Sequence, residues 1–310
     1  MYYVLSITMP FFAIIFLGTG CTFLKFFDNE SSKVLTKYAL YITLPPFIFI
    51  NILKSSDNYS IFNWNFIIRF EIVTIGILFL SFLISLFFLK NNKKDSSLFS
   101  LNSTYPNYGY MGIPLCILAF GEASSIPISL ILLIDTVVLL SFTSFFVNKY
   151  NSSNLIIEFY YFLLNLFKNP ILLSVFIGFV FIFFEIKLNI IVYKFIEILS
   201  FAATPTALFA IGINLYNGFE RSNIHQLSFI TLSKLIIHPL LIFLIFYFFP
   251  SEIPDLWIKV AILCASLPVA GNVFAMSIYY NSFVKVSSSS ILITTVLSTF
   301  TVPIVLFLLI

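Results

Sequence analysis

The chain has 310 residues, of which 60% are hydrophobic and 9% are charged. Soluble domains carry about 25% charged residues, so this composition excludes both a soluble globular protein and a disordered one. The near balance of 16 Lys+Arg against 13 Asp+Glu, with no basic tract, excludes a nucleic-acid binder.

The charged residues form short clusters that separate apolar runs of about 18–25 residues, which is the length of a membrane-spanning helix. These runs do not alternate as β-barrel strands do. The first run lacks the basic flank of a signal peptide and is predicted to be a retained span. The sequence predicts an all-α polytopic membrane protein with ten transmembrane helices, at about 3–24, 34–53, 65–89, 98–120, 126–147, 170–186, 190–216, 227–249, 256–279 and 287–310.

The basic residues predict the orientation of these spans. The loop between spans 1 and 2, and every second loop after it, holds eleven Lys or Arg, whereas the opposite side holds five. Basic loops stay cytoplasmic, so both termini are predicted outside a plasma membrane, or outside the inner membrane of a bacterium. The apolar segment 155–167 is too short to span and is predicted to lie at the interface or to bend into span 6.

Prolines fall at matching places in the two halves of the chain. Pro106 in span 4 corresponds to Pro268 in span 9, and Pro45 in span 2 corresponds to Pro205 in span 7. Five spans per half is an odd number, so the second half is predicted to be inverted relative to the first. The halves are repeat one, 1–148, and repeat two, 156–310, and interrupted helices in such repeats indicate a transporter site.

Spans 4 and 9 are predicted to break at their prolines, because proline removes a backbone donor and clashes with the preceding turn. Broken backbone in a bilayer lines a cavity, and a half-helix N-terminus suits the carboxylate of an organic anion. Asn107 and Asn272 lie beside the breaks and can hydrogen-bond a substrate. The alternatives are a simple kink for each proline and an interhelical hydrogen bond for each asparagine.

Several ionisable side chains lie within spans, where a charge suggests function. Asp135 is in the middle of span 5 and is predicted to couple transport to an ion or to the substrate, with a structural hydrogen bond as the alternative. Glu71 in span 3 is predicted to join it in a polar cluster, or to stay at the interface. Lys234 and His238 share a face of span 8 and are predicted to reach the cytoplasmic surface, with a pore-facing role in proton chemistry as the alternative for His238.

Two further asparagines, Asn51 and Asn214, follow the prolines of spans 2 and 7 and are candidates to face the substrate.

Signatures of enzymes and of nucleotide binding, HExxH, GxSxG and GxxxxGK[ST], do not occur in the sequence. The three cysteines lie in apolar runs without metal-ligand spacing, so no metal and no cofactor is predicted. A carrier that does not hydrolyse ATP is the remaining class of transporter.

The motifs that carry a family resemblance lie in the interrupted spans. The run from Tyr105-Pro106-Asn107 to Pro114-Leu115 resembles the fourth span of the auxin efflux carrier family, which includes the plant PIN exporters. The run from Ser266-Leu267-Pro268 to Ala275 resembles the ninth span of that family. The segments opening span 6 and crossing span 7, Lys168-Asn169-Pro170 and Thr204 to Gly212, are also similar. The resemblance extends over essentially the whole chain.

The resemblance implies two inverted five-span repeats in which spans 4 and 9 cross at their breaks. It implies a scaffold of spans 1, 2, 6 and 7 that forms a homodimer, and a transport domain of spans 3–5 and 8–10. Pro106, Asn107 and Pro268 carry over as crossover residues. The substrate would move across the lipid bilayer by an elevator-like motion.

The predicted function is therefore a secondary transporter of small organic anions, with export driven by the membrane potential or a proton gradient as the predicted direction. One alternative is a symporter coupled to H⁺ or Na⁺, with the ion held by Asp135 and Glu71. Another is a membrane receptor or scaffold that does not transport. The receptor or scaffold is distinguished from both kinds of transporter, because substitutions of Asn107 or Asp135 would then have no effect on growth or on a measured flux.

Overall fold

The computed structural model describes residues 2–54, 62–148, 169–217, 223–249 and 252–310. Within these residues the regular secondary structure is helical. The β-type pairing among them is limited to one isolated bridge. The predicted interfacial segment 155–167 lies outside the described residues. In chain order the α-helices are α1 (Tyr2–Phe23), α2 (Asn29–Tyr38), α3 (Leu44–Lys54), α4 (Trp64–Phe87), α5 (Lys93–Thr104), α6 (Ile113–Phe120), α7 (Ser125–Asn148), α8 (Pro170–Phe183), α9 (Ile190–Phe201), α10 (Ala203–Asn217), α11 (Ile224–Leu232), α12 (His238–Phe248), α13 (Asp255–Ala265), α14 (Gly271–Tyr279) and α15 (Val284–Leu309).

Three π-helical turns precede proline-containing helices. They span Ala39–Thr43, Tyr108–Gly112 and Ser233–Ile237, and the next helix has proline as its second residue in each case, Pro45, Pro114 and Pro239. Proline cannot donate to the carbonyl four residues back, and its ring pushes that carbonyl away. A wider turn accommodates this displacement, so the prolines explain where the π-turns form.

Seven described helices are long and apolar enough to cross a membrane. They are Tyr2–Phe23, Glu30–Lys54, Trp64–Phe87, Glu122–Thr143, Ile190–Tyr216, Ile224–Phe248 and Val284–Leu309. Predicted spans 4 and 9 are each divided into two shorter helices, and span 6 is the 14-residue helix α8. The chain is thus a helical, polytopic protein, while the count of ten spans and the inverted repeat stay predictions.

The chain divides into two compact units. Unit 1 consists of Met1–Asn63, Tyr108–Leu130 and Phe167–Asn217. Unit 2 consists of Trp64–Asn107, Ile131–Leu166 and Gly218–Ile310. The division separates the two parts of predicted span 4 at Asn107 and Tyr108.

Unit 1 contains a close helix crossing between α1 and α10. A Cβ added to Gly212 would lie 1.9 Å from the carbonyl oxygen of Ile15, and one added to Gly18 would lie 2.4 Å from that of Phe209. The Thr19 hydroxyl also donates to the Gly212 carbonyl at 2.8 Å. Small residues at such a crossing let two backbones approach, which is how membrane helices associate.

Replacing Gly212 with alanine is expected to destabilise this crossing, because the new methyl group overlaps the Ile15 backbone. Overpacking of this kind costs about 1–3 kcal/mol of unfolding free energy. Thermal unfolding of the purified protein in detergent should show a lower midpoint. Gly20→Ala in α1 is the matched control, because nothing lies within 4 Å of its added Cβ; equal midpoints for both variants would contradict the prediction.

Unit 2 surrounds α5, whose residues from Ser96 to Thr104 are all buried. Asn102 is the centre of its polar contacts. Its amide donates to the Ser287 hydroxyl of α15 at 2.9 Å, and its carbonyl accepts from Ser290 at 2.6 Å. These bonds join the first half of the interrupted span 4 to the last helix.

Candidate transport site at the interrupted helices

The two interrupted helices of unit 2 meet at their breaks. The helix α5 ends at Thr104, and the backbone N–H of Asn107 donates to the carbonyl of Pro268 at 2.9 Å. The N–H of Ala270 donates in return to the carbonyl of Tyr105 at 3.1 Å. Tyr105–Asn107 and Pro268–Ala270 thus form a short antiparallel pair, which we call the crossover.

The position of the prolines follows from the hydrogen bonding of the crossover. Pro106 pairs with Val269, and the two bonds come from the residues that flank this pair. Neither central residue therefore needs its own N–H inside the pair, so a proline fits at position 106. The N–H of Val269 instead donates to the hydroxyl of Thr294 in α15 at 3.1 Å.

The breaks also release carbonyl groups at the ends of α5 and α13. Two adjacent residues of the π-turn after α11 bind these carbonyls. The Ser233 hydroxyl donates to the carbonyl of Ser103 at 3.2 Å, and Lys234 Nζ donates to that of Ala265 at 2.6 Å. The C-terminal end of a helix carries partial negative charge, so an ammonium is well placed there.

Lys234 and His238 are both fully buried, with 0% of their surfaces exposed. The prediction that they reach the cytoplasmic surface is therefore wrong. Lys234 Nζ lies 3.2 Å from His238 Nδ1, and His238 Nε2 lies 3.1 Å from the Thr74 hydroxyl. The physical reason is the carbonyl of Ala265, which gives the ammonium an interior partner close enough to replace water.

Asp135 and Glu71 lie together inside unit 2. Asp135 in α7 is 0% exposed and Glu71 in α4 is 7% exposed. Their carboxyl groups are close enough to share a hydrogen bond, and Asp135 is also close enough to Lys234 for their charges to interact. The structure thus places the two acids, predicted as a possible polar cluster, in contact with one another.

The crossover is connected to these acids through Tyr105. The Tyr105 hydroxyl lies 2.9 Å from that of Thr136, the residue next to Asp135, and also hydrogen-bonds the side chain of Asn272. Asn272 is in the first turn of α14 and is exposed, while Asn107 is 5% exposed. Of the predicted substrate residues, four therefore lie in or beside the crossover: Pro106, Asn107, Pro268 and Asn272.

Asn51 and Asn214 are in unit 1 and have local partners there. The side-chain amide of Asn51 donates to the carbonyl of Phe47 at 2.7 Å, and the backbone carbonyl of Asn51 accepts from the Ser125 hydroxyl. The carbonyl oxygen of the Asn214 side chain accepts a hydrogen bond from Ser32. Asn51 is buried and Asn214 is exposed. Their role toward a substrate stays a prediction.

A family described as membrane transport protein matches residues 3–306. The chain belongs to this family. It is the auxin efflux carrier family that the interrupted spans resemble, and the match extends beyond those motifs to nearly every residue of the chain.

Relatives in this membrane transport family cover the chain almost end to end. A protein of Rhizobium meliloti named "Putative malonate transporter" is 29% identical over 308 residues, which are 98% of this chain and 95% of that protein. An uncharacterized transporter of Methanocaldococcus jannaschii is 25% identical over 282 residues, or 87% of each chain. These similarities indicate a multi-pass membrane transporter rather than an enzyme.

Sequence reasoning missed three residues that hold the crossover of this membrane transport protein: Ser233, Lys234 and Thr294. Ser233 and Thr294 have no sequence signal, because hydroxyl groups are frequent in membrane helices. Lys234 does have a sequence signal. It is a lysine inside an apolar helix, with a histidine four residues later and then Pro239, and such a charge is costly to bury without partners.

Proposed function

We propose that this protein is a secondary transporter of small organic anions, such as carboxylates, in the plasma membrane. The observation that carries the proposal is the crossover, where two interrupted helices in unit 2 are paired by backbone hydrogen bonds. Irregular backbone at membrane depth is tolerated where it lines a cavity, which supports a substrate site at this place. Membership of the transport family supports the same class of function.

The groups at the crossover suit an anion. The helix α14 begins at Gly271 after Ala270, which provides no side-chain cap for its first N–H groups. Asparagines cap the N-termini of other helices, such as Asn92 at α5 and Asn223 at α11. The uncapped end of α14 thus offers N–H donors and partial positive charge to a carboxylate, with Asn107 and Asn272 as additional donors.

The substrate class that we place first is dicarboxylates. The name of the Rhizobium relative refers to malonate, and that protein is similar along nearly its whole length. Malonate is therefore the first compound to test, followed by other dicarboxylates and by monocarboxylates. Export is the direction that the family resemblance favours.

An elevator-like motion is the mechanism that we propose for the transport step. Predicted scaffold spans 1, 2, 6 and 7 fall in unit 1, and spans 3, 8, 9 and 10 fall in unit 2. The boundaries at Asn107 and Leu130 divide spans 4 and 5 between the units. The scaffold forms a homodimer in this proposal, and both termini lie on the outer side of the membrane.

Counterflow in proteoliposomes tests the proposal directly. Vesicles containing the purified protein are loaded with one unlabelled carboxylate and diluted into the same labelled compound, so that uptake reports exchange by the loaded carrier. We expect saturable exchange of at least one dicarboxylate, and competition by the other substrates. Absence of exchange for every mono- and dicarboxylate would overturn the proposal and would favour a receptor or scaffold.

A cation-coupled symporter is the second candidate, and the contact between Glu71 and Asp135 favours it. Paired acids inside a membrane protein are costly and often mark ion or proton pathways. Accumulation of the substrate against its gradient, driven by an imposed H⁺ or Na⁺ gradient, distinguishes a symporter from an exchanger. Counterflow is expected in both cases.

A further inference from the structure

We propose that one proton, shared between the side chains of Glu71 and Asp135, is the ion that couples transport, and that Lys234 links this proton to the crossover. The inference rests on the proposed function and adds the identity and the place of the coupling ion. It is carried by the arrangement of buried groups in unit 2. Each of these groups belongs to a different helix or turn.

The hydrogen bond between the two acids requires a proton. Ionised carboxylates can only accept hydrogen bonds, so two of them cannot bond to each other directly. The carboxyl groups of Glu71 and Asp135 lie within hydrogen-bonding reach of each other and are 7% and 0% exposed. One proton must therefore stay on the pair, and two adjacent negative charges in a nonpolar interior would otherwise repel strongly. The pair then carries a single negative charge.

The groups around the pair set the local balance of charge. Lys234 is the cation that interacts with Asp135. The Thr74 hydroxyl donates to the Phe70 carbonyl at 3.1 Å and so accepts from His238 Nε2. The Nδ1 atom of His238 is then unprotonated and accepts from Lys234, which makes this histidine neutral. Two further titratable side chains interact with this cluster, Tyr105 with Asp135 and Cys264 with Lys234.

The protonated pair and the Lys234 ammonium therefore sum to zero charge. Loss of the shared proton changes the pair from one negative charge to two, and the cluster from neutral to a net negative charge. A buried site resists that change until water or another charge reaches it. The proton is thus expected to leave in one conformation of the transport cycle and to be held in the other.

Two contacts connect the proton to the crossover. Lys234 donates to the carbonyl of Ala265, the last residue of α13, directly before the break in span 9. Thr136, next to Asp135, bonds the hydroxyl of Tyr105, which also bonds Asn272. A change of charge at the acids therefore acts on groups that hold both interrupted helices. Binding of the proton and of the substrate would be linked reciprocally.

The experiment compares accumulation with counterflow in proteoliposomes of the full chain. A pH gradient of one unit is imposed with no membrane potential, malonate is the first substrate, and a pH dye inside the vesicles reports proton movement. One proton per substrate corresponds to about tenfold accumulation for each pH unit. For Glu71→Gln we expect no accumulation and no substrate-linked proton movement, while counterflow persists. Glu71→Asp should restore part of the accumulation.

The matched control is Glu252→Gln, because Glu252 is an exposed acid of unit 2 and the change is chemically the same. It should retain the accumulation and the proton movement of the parent protein. Failure of counterflow in the parent would contradict the proposed function itself. Normal counterflow without proton movement in the parent would overturn only this inference.

Three other results would also overturn the inference. Proton movement that persists in Glu71→Gln would show that the proton travels on the substrate rather than on the acids. Accumulation driven by a Na⁺ gradient at constant pH would identify a different coupling ion. Loss of both accumulation and counterflow in Glu71→Gln would show that Glu71 is needed for movement of the loaded carrier and not for coupling alone.

Discussion

Replacing Lys234 with methionine is expected to produce the largest loss of stability among single substitutions in unit 2. The change removes the cation beside Asp135 and the donor to the Ala265 carbonyl, and it leaves a buried negative charge without its counterion. Removal of one partner of a buried ion pair costs about 3–5 kcal/mol of unfolding free energy. Transport should be lost as well, because the end of α13 loses its contact at the crossover.

Thermal unfolding and counterflow measure the two effects of Lys234→Met. Lys259→Met is the matched control, since Lys259 pairs with Asp255 at the surface at 3.0 Å and such pairs contribute about 0–1 kcal/mol. Adding Asp135→Asn to Lys234→Met should recover part of the stability, because the unpaired charge is then removed. Strictly additive losses in the double variant would show that the two side chains do not interact.

Replacing Asn107 with alanine is expected to weaken substrate binding without unfolding the protein. A hydrogen bond to a charged group contributes about 1.5–3 kcal/mol, which corresponds to a rise of about 10- to 150-fold in the half-saturation concentration. The concentration dependence of counterflow measures this change. The backbone bond from Asn107 to Pro268 does not involve the side chain, so the crossover should stay intact.

Asn65→Ala is the control for Asn107→Ala, because Asn65 is exposed in the first turn of α4. Its half-saturation concentration should equal that of the parent protein. An unchanged value for Asn107→Ala would move the substrate site away from this side chain. A reduced maximal rate with an unchanged half-saturation concentration would assign Asn107 to the transport step rather than to binding.

Much of the fold could be predicted from local sequence patterns. Apolar runs between charged clusters predict the helices, and Pro106 and Pro268 predict where two of them are interrupted. The contacts between interrupted helices are not local: Asn107 bonds Pro268, and Val269 bonds Thr294. The resemblance to a family implied that these helices cross, whereas no periodicity in the sequence indicates which hydroxyl groups satisfy the breaks.

The burial of Lys234 shows why position within a span is a weak guide to exposure. Its place in the predicted span 8 predicts that this lysine extends to the cytoplasmic surface. Its partner is the carbonyl of Ala265, which is available because the next turn of α13 does not form. A free carbonyl at a helix break is a property of the neighbouring helix and leaves no mark in the residues around Lys234.

The hydrogen bonds of the crossover have a consequence for the affinity of a substrate. Fixing the backbone of one residue costs about 1–2 kcal/mol of conformational entropy. At the crossover this cost is met during folding, since the N–H groups of Asn107, Val269 and Ala270 all have partners in the protein. A ligand that binds there, through the first N–H groups of α14 and the side chain of Asn107, would meet an ordered backbone, and little of its binding free energy would be used to order the chain. A small, weakly hydrophobic ion with few atoms to contribute could then bind at physiological concentrations.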